Sequence, residues 1–237
     1  MIMKAGTVQP KNDYPTSDGK PMAETDLHRD LMLALIETLK WWFRDRPKVY
    51  VSGNLLVHYE KGNRRVHVAP DVFVVPGIGN HRRENYLLWE EGRGLDCVVE
   101  LTSKTTMLED IEEKYNLYVE KLGVKEYFLF DPKQEYLKPS FQGYRRGKEK
   151  FRPIKFVDGR LPSQVLGLHL ERVGDELRLW NPDTGERLPT PTELAIQASA
   201  EAERADAEAE RANAAEAENG RLRRELEQLR GKPGGKS

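Results

Sequence analysis

The strongest constraint on the fold is the stretch from 96 to 132, in which two apolar segments flank an amphipathic one. The first apolar segment covers residues 96–101, and the second covers residues 124–130 and stops at Asp131-Pro132. Between them, apolar side chains recur at helical spacing before a glycine: Ile111, Tyr115, Tyr118, Leu122 and then Gly123. A strand, a helix and a second strand in this order form a right-handed crossover. The sequence therefore predicts an α/β sheet with two parallel neighbouring strands.

The residues before this unit predict one helix and two further strands. Helical periodicity runs from residue 24 to about 44, at Leu27, Leu31, Leu35, Leu39 and Trp42. Two runs rich in β-branched residues follow, at 49–57 and 64–75, separated by a Lys-Gly-Asn turn. The fold class is therefore α/β (α+β), a mixed sheet flanked by helices in the order α-β-β-β-α-β. Residues 76–95 are interpreted as a loop with a short helical piece at 86–89.

The remaining sequence predicts additions to this core. Apolar runs punctuated by glycine after Pro139 predict β-hairpins, at 141–144, 151–156, 166–170 and 176–180. Residues 191–230 are rich in Ala, Glu and Arg and end with Leu222, Leu226 and Leu229, the spacing of a coiled-coil seam. We predict a flexible lead-in at 1–22, a domain at 23–190, a helical tail at 191–230 and a disordered end at 231–237. Because the first half of the tail offers mainly alanine, its oligomeric state stays open.

Composition limits the classes of protein to consider. The chain carries 38 basic and 39 acidic residues, a net charge of −1, so no global attraction draws it to a polyanion. Arginine clusters such as Arg64-Arg65 either line a groove for phosphates or are solvated loop tips. The single cysteine, Cys97, excludes an internal disulfide and multi-cysteine zinc sites. No apolar run reaches the roughly 20 residues that span a bilayer, so we expect a cytoplasmic protein without membrane contact.

Two acidic residues interrupt apolar strand sequences. Asp71 follows Pro70 and precedes Val72, and Glu100 follows Val98-Val99. A carboxylate is unfavourable in such a run unless it has a function, faces solvent or ends the strand. Two carboxylates that lie close together are tolerated when a divalent cation bridges them, and Mg²⁺ takes sparse carboxylate sites completed by water and phosphate. The sequence thus offers Asp71 and Glu100 as metal ligands, against a structural interpretation of each.

Lys114 and His28 have two interpretations each. Lys114 borders the apolar face of the helix after Glu100, so its amine either reaches the sheet or is solvated while its stem packs on the core. His28 follows Leu27 on the first helix, where it either faces the same site or is a satisfied polar group at the edge of the core. The other histidines show no ligand spacing, so zinc is unsupported.

The order of elements and four sequence blocks resemble the PD-(D/E)XK, or restriction-endonuclease-like, superfamily, and within it the Uma-type family. The blocks are Val68-Ala69-Pro70-Asp71-Val72, Val98-Val99-Glu100-Leu101-Thr102-Ser103, Asp110 to Lys114 with Tyr118, and Gly123 through Glu126-Tyr127-Phe128 to Asp131-Pro132. The resemblance implies a nuclease core in which Asp71 and Glu100 bind metal and Lys114 is the active-site lysine. The parent motif would place its lysine at Thr102, and if the relocation to Lys114 is wrong, Lys104 is the nearest substitute. Glu24 resembles an additional acidic residue of the superfamily.

These features together predict the function. We expect a Mg²⁺-dependent endonuclease, with Mn²⁺ as a possible substitute, that hydrolyses phosphodiester bonds of DNA, with Asp71, Glu100 and Lys114 as catalytic residues. The alternative is an inactive nuclease-fold scaffold that assembles or recruits partners through its C-terminal helix. The threonine at position 102 and the neutral charge favour the scaffold, whereas the three candidate residues favour the enzyme. A homodimer would suit double-strand cleavage.

Overall fold

A computed structural model describes residues 14–17, 25–103, 109–148 and 150–230. The chain divides into two compact units, Met1–Thr190 and Pro191–Ser237. The helices are α1 (Asp26–Trp42), α2 (Leu88–Glu91), α3 (Lys114–Asn116) and α4 (Pro191–Arg230). The strands are β1 (Val49–Ser52), β2 (Val57–His58), β3 (His67–Val68), β4 (Val72–Pro76), β5 (Tyr86–Leu87), β6 (Cys97–Leu101), β7 (Glu126–Phe130), β8 (Phe141–Arg146), β9 (Phe151–Pro153), β10 (Arg160–Ser163), β11 (Leu168–Val173), β12 (Glu176–Asn181) and β13 (Glu186–Arg187).

A mixed six-stranded sheet organises the first unit. Its strand order is β1-β4-β6-β7-β8-β9, in which only β6 and β7 pair in parallel. The parallel pair is the one that the crossover predicts, and β1, β4 and β6 form antiparallel neighbours before it. The predicted α-β-β-β-α-β core and mixed sheet are confirmed.

One helix covers each face of this sheet. Helix α1 begins after Thr25, whose hydroxyl accepts a hydrogen bond from the His28 backbone N–H at 3.2 Å, and it buries Leu31, Leu35 and Leu39. Those leucines join Val72, Val74 and Val99 in one core cluster. The opposite face carries Phe73 and Val98, which pack with Tyr118 of the crossover helix. The alternation of side chains along β4 and β6 explains why each strand feeds both cores.

The crossover helix is the continuous helical stretch 109–121 and it is unusually wide. Helix α3 provides only three α-helical residues, and π-helical segments lie on both sides, at Glu109–Glu113 and Leu117–Lys121. The helix ends before Gly123, which has a φ of 63° that suits glycine. Single π-turns inside helices are rare and often lie at functional sites.

Two smaller sheets flank the main one. Strands β10 to β13 form a four-stranded antiparallel sheet whose buried leucines join the α1 core cluster. Strands β3, β2 and β5 form the third sheet, in which β5 runs parallel to β2. Within the predicted lead-in, Tyr14 contacts this sheet: its ring centroid lies 5.0 Å from that of His58 in β2, and its hydroxyl accepts from the N–H of Gly62, in the turn after β2, at 2.6 Å. The rest of the predicted lead-in, apart from residues 14–17, and the predicted disordered end lie outside the described residues.

The structure differs from the sequence prediction in local detail. The run 49–57 is two strands because the chain bends at Asn54, which has a φ of 47°, and β2 pairs with β3 and β5 instead of the main sheet. The helical piece predicted at 86–89 is wrong at its start, since Tyr86 and Leu87 pair with β2 and helix α2 begins at Leu88. Hydrogen bonding to distant strands outweighs local preference in both cases. Among the described residues, no helix combines the length and apolarity that crossing a membrane requires.

Candidate active site

Asp71 and Glu100 lie opposite each other at one end of the main sheet. Strands β4 and β6 pair with Val72 across from Val99, so one further step of the antiparallel register brings Asp71 to Glu100. The Asp71 backbone N–H donates to Glu100 Oε2 at 3.4 Å, and Asp71 Oδ2 accepts from the Leu101 N–H at 2.7 Å. The sheet thus brings together the two carboxylates that interrupted the apolar sequences.

Lys114 and Tyr118 of the crossover helix both bind Glu100. Lys114 Nζ donates to Glu100 Oε2 at 3.1 Å, and the Tyr118 hydroxyl donates to Oε1 at 2.6 Å. The Glu100 side chain is fully buried and that of Lys114 is 10% exposed. Burying a charge is costly unless it is paired and hydrogen-bonded, so these contacts make the buried carboxylate tolerable. Of the two interpretations of Lys114, the structure supports the one in which its amine reaches the sheet.

His28 reaches the same site from helix α1. Its Nε2, in the tautomer protonated there, donates to Asp71 Oδ1 at 3.2 Å. The two side chains are 12% and 16% exposed, so this pair lies at the rim of the site, whereas Glu100 lies at its bottom. Helical periodicity placed His28 near the core edge but gave no information on which strand it would meet.

Gly53 allows the chain at Asp71 to approach β1. A Cβ atom at position 53 would lie 1.9 Å from the Asp71 carbonyl oxygen and 2.7 Å from Ile36 Cδ1. The next residue, Asn54, donates its backbone N–H to the Pro70 carbonyl at 2.8 Å. Only glycine fits between these groups. Sequence reasoning missed this residue, and the only signal for it was a glycine inside a run otherwise typical of a strand.

Three other residues were candidates for the site: Thr102, Lys104 and Glu24. Thr102, at the place of the parent motif's lysine, is 2% exposed, and its hydroxyl has no hydrogen-bond partner among the described residues. Its backbone N–H donates to the Phe130 carbonyl at 2.8 Å. Lys104 and Glu24 lie outside the described residues. The structure therefore brings together Asp71, Glu100 and Lys114, and adds His28 and Tyr118.

Asp131 and Glu126, two of the three other buried acids among the described residues, differ from Glu100 in their partners. The Asp131 carboxylate accepts from four backbone N–H groups of residues 133–137 at 2.6–3.1 Å. The Glu126 carboxylate accepts from Arg145 Nε at 2.8 Å and from two backbone N–H groups. Both acids therefore fix loops and strands. Glu100 is distinguished because its side-chain donors include an amine and a phenol, which are groups able to take part in acid–base and electrostatic catalysis.

The donor set fits a hard divalent cation. Asp71 and Glu100 present carboxylate oxygens, the ligand type that Mg²⁺ prefers, and they contribute two negative charges beside one lysine. Within the described ranges, no group of three or more His, Cys, Asp or Glu side chains is arranged to hold a metal. A metal at this site would thus take few protein ligands and complete its shell with water or phosphate oxygens, as Mg²⁺ commonly does.

The model of the family Uma2, described as "Putative restriction endonuclease", matches residues 7–173. Among solved structures, the chain is similar to "a putative nuclease belonging to DUF820" from Anabaena variabilis ATCC 29413, with 15% identity and a TM-score of 0.46. That match covers 64% of this chain and 80% of the other. No curated protein matches.

Proposed function

The chain belongs to the Uma2 family, and from this premise we propose that it is a Mg²⁺-dependent endonuclease that hydrolyses phosphodiester bonds of DNA. The observation that carries the proposal is the convergence of Asp71 and Glu100 from adjacent strands, with the Lys114 amine 3.1 Å from Glu100. The family's description supports nuclease chemistry, and its restriction-type name supports DNA as the substrate.

Asp71 and Glu100 would hold the metal, with the Leu101 carbonyl as a further ligand. When bound, Mg²⁺, or Mn²⁺ in its place, would supply an activated water and neutralise charge on the scissile phosphate. Tyr118 holds one oxygen of Glu100, and the Leu101 N–H holds one oxygen of Asp71. Such contacts keep metal-binding carboxylates oriented, so less reorganisation is needed when the site is filled.

Lys114 would act on the reacting phosphate. Its ammonium is held beside Glu100 in a site with little access to water. In such surroundings a fixed positive charge stabilises negative charge developing on phosphorus far better than it would in solution. The same amine could orient the attacking water for in-line displacement.

The proposal is tested by Asp71→Asn in a nuclease assay. Plasmid DNA is incubated with Mg²⁺, with Mn²⁺ or with EDTA, and we expect wild-type cleavage in both metals and none in EDTA. The variant keeps the size of the side chain but loses its charge, so cleavage should fall about 100-fold or more. Asp45→Asn is the matched control because Asp45 is 84% exposed on its side chain and pairs only with Arg44 among the ion pairs of the described residues. Equal cleavage by wild type and Asp71→Asn would refute the assignment.

His28 is expected to position Asp71 for the metal. His28→Ala removes the donor to Asp71 Oδ1, so Mn²⁺ should bind about 10-fold more weakly, in the range typical of lost outer-shell contacts. His28→Gln retains an N–H donor and should bind within about threefold of wild type. Calorimetric Mn²⁺ titration measures both variants. If Ala and Gln at this position bind Mn²⁺ equally, the hydrogen bond has no role in positioning.

An inactive scaffold is the second candidate function. It is favoured by Thr102 in place of the parent motif's lysine and by the full burial of Glu100. In that case the Lys114–Glu100 ion pair would serve the fold alone. The two functions differ in the same assay, because a scaffold would show no metal-dependent cleavage above that of Asp71→Asn.

A further inference from the structure

Helix α4 is long and leaves apolar side chains in solvent. It runs from Pro191 to Arg230, 40 residues, which corresponds to about 60 Å at 1.5 Å per residue. Leu222 and Leu226 are 45% and 56% exposed. Exposed leucines on one stripe of a helix indicate a surface that another helix covers.

The leucines define the register of that stripe. Leu222, Leu226 and Leu229 follow each other at intervals of four and three residues, so they occupy heptad positions d, a and d. Continuing the heptad toward the N-terminus places Asn219 at a, Ala215 at d and Ala212 at a. A single asparagine at an a position among apolar seam residues favours two parallel strands in register, because that arrangement brings the two amides face to face.

The charged residues beside the seam indicate which helix would pair with α4. In a parallel pair, each g residue faces the e residue five positions later on the other helix. The three such pairs in this register all have opposite charge: Arg211 with Glu216, Glu218 with Arg223, and Glu225 with Arg230. The sequence of α4 is therefore complementary to itself.

An antiparallel pair is disfavoured by the same residues. When the leucines of two antiparallel copies are kept opposite one another, Glu225 meets Glu225 of the other copy and Arg223 meets Arg223 of the other copy. Like charges at flanking positions destabilise a coiled coil.

The N-terminal limit of the seam is set by Glu201 and Glu208. Both fall at d positions, where in a parallel pair each would face the same glutamate of the other copy. The paired segment thus begins after residue 208.

We propose that residues 212–229 of α4 pair with the same segment of a second copy of this chain as a parallel, two-stranded coiled coil. The partner is recognised by the leucine seam, by the asparagine pair at position 219 and by the complementary e and g charges. This inference does not depend on the nuclease proposal, because it uses only residues of the second unit.

Disulfide trapping tests the orientation in the full chain. Asn219→Cys places a thiol at an a position, where a parallel pair brings the two copies of that residue together. Ala217→Cys is the matched control, since position 217 is an f position that points away from the seam. Native Cys97 gives little background because it is 1% exposed, and burial raises the pKa of its thiol well above the usual value.

Under a mild oxidant we expect a reducible dimer from Asn219→Cys, at least 10-fold more abundant than from Ala217→Cys or wild type. Equal trapping at positions 217 and 219 would overturn the proposal, as would the absence of any trapped dimer at 219.

Charge reversal tests the partner without introducing a thiol. In sedimentation equilibrium, wild type should approach twice the monomer mass of 27.3 kDa at about 100 µM. Glu218→Arg and Arg223→Glu each create two like-charge pairs and should weaken self-association about 10-fold, whereas the double variant should restore it. Circular dichroism checks that α4 stays helical. A monomeric wild type, or self-association unaffected by either single reversal, would contradict the coiled coil.

Discussion

Lys114→Met should destabilise the protein by about 3–5 kcal/mol, the range measured when one partner of a buried ion pair is removed. The reason is that Glu100, whose side chain is fully buried, would keep its charge while losing the amine that lies 3.1 Å away. Under the proposed function, nuclease activity should also fall about 100-fold or more, because the amine proposed to stabilise charge on phosphorus is lost. Urea unfolding and plasmid cleavage measure the two effects.

A second substitution separates stability from function. Lys114→Met combined with Glu100→Gln removes both charges of the buried ion pair, so no buried carboxylate charge is left without the lysine, and we expect most of the lost free energy of unfolding to return. Activity should stay as low as in Lys114→Met. Lys121→Met is the control on the same helix, because Lys121 is 59% exposed and its ion pair with Glu60 lies at the surface. Unchanged unfolding of Lys114→Met would show that the buried pair contributes nothing to the fold.

Gly53→Ala should damage both the fold and the site. The added Cβ would lie 1.9 Å from the Asp71 carbonyl oxygen, which belongs to the backbone and cannot rotate away. Overpacking of this kind costs about 3 kcal/mol, and a shift of about 1 Å at Asp71 can reduce the rate as much as 100-fold. We therefore expect a lower urea midpoint and at least a tenfold loss of cleavage.

Gly79→Ala is the matched control for this prediction. A Cβ at position 79 would meet only the His81 side chain, at 3.4 Å, and Gly79 does not need a left-handed conformation. Its stability and cleavage should stay close to wild type. If the two alanine variants behave alike, the close approach at Gly53 is not required for either property.

The central sheet could be predicted because its strands are continuous apolar runs. Residues 97–101 and 126–130 are buried along their whole length, and the amphipathic segment between them has room for only one helix. Connection rules then leave a single arrangement, with β6 parallel to β7. The positions of Asp71 and Glu100 follow from the same runs, since each acid lies where an apolar strand begins or ends. Their catalytic roles stay predictions.

Other features depend on contacts that local sequence does not encode. The orientation of His28 toward Asp71 depends on how α1 crosses the sheet, and helical periodicity gives only the face of a helix. The need for glycine at position 53 depends on the approach of the Asp71 carbonyl from another part of the chain. The π-turns on both sides of Lys114 do not follow from local preference, because the residues of 109–121 have no unusual helix preference. These are the features that decide the geometry of the site.

The parallel pairing of β6 with β7 has a consequence for folding during synthesis. The candidate site includes residues 28, 71, 100 and 114, and strand β7, which pairs with the Glu100 strand, ends only at Phe130. A chain emerging from the ribosome therefore lacks the supporting strand until this point has left the exit tunnel, and domains fold as units during synthesis. In shorter nascent chains the strand that pairs with β6 on the side away from β4 is missing, so the buried surroundings of Glu100 form only late in synthesis.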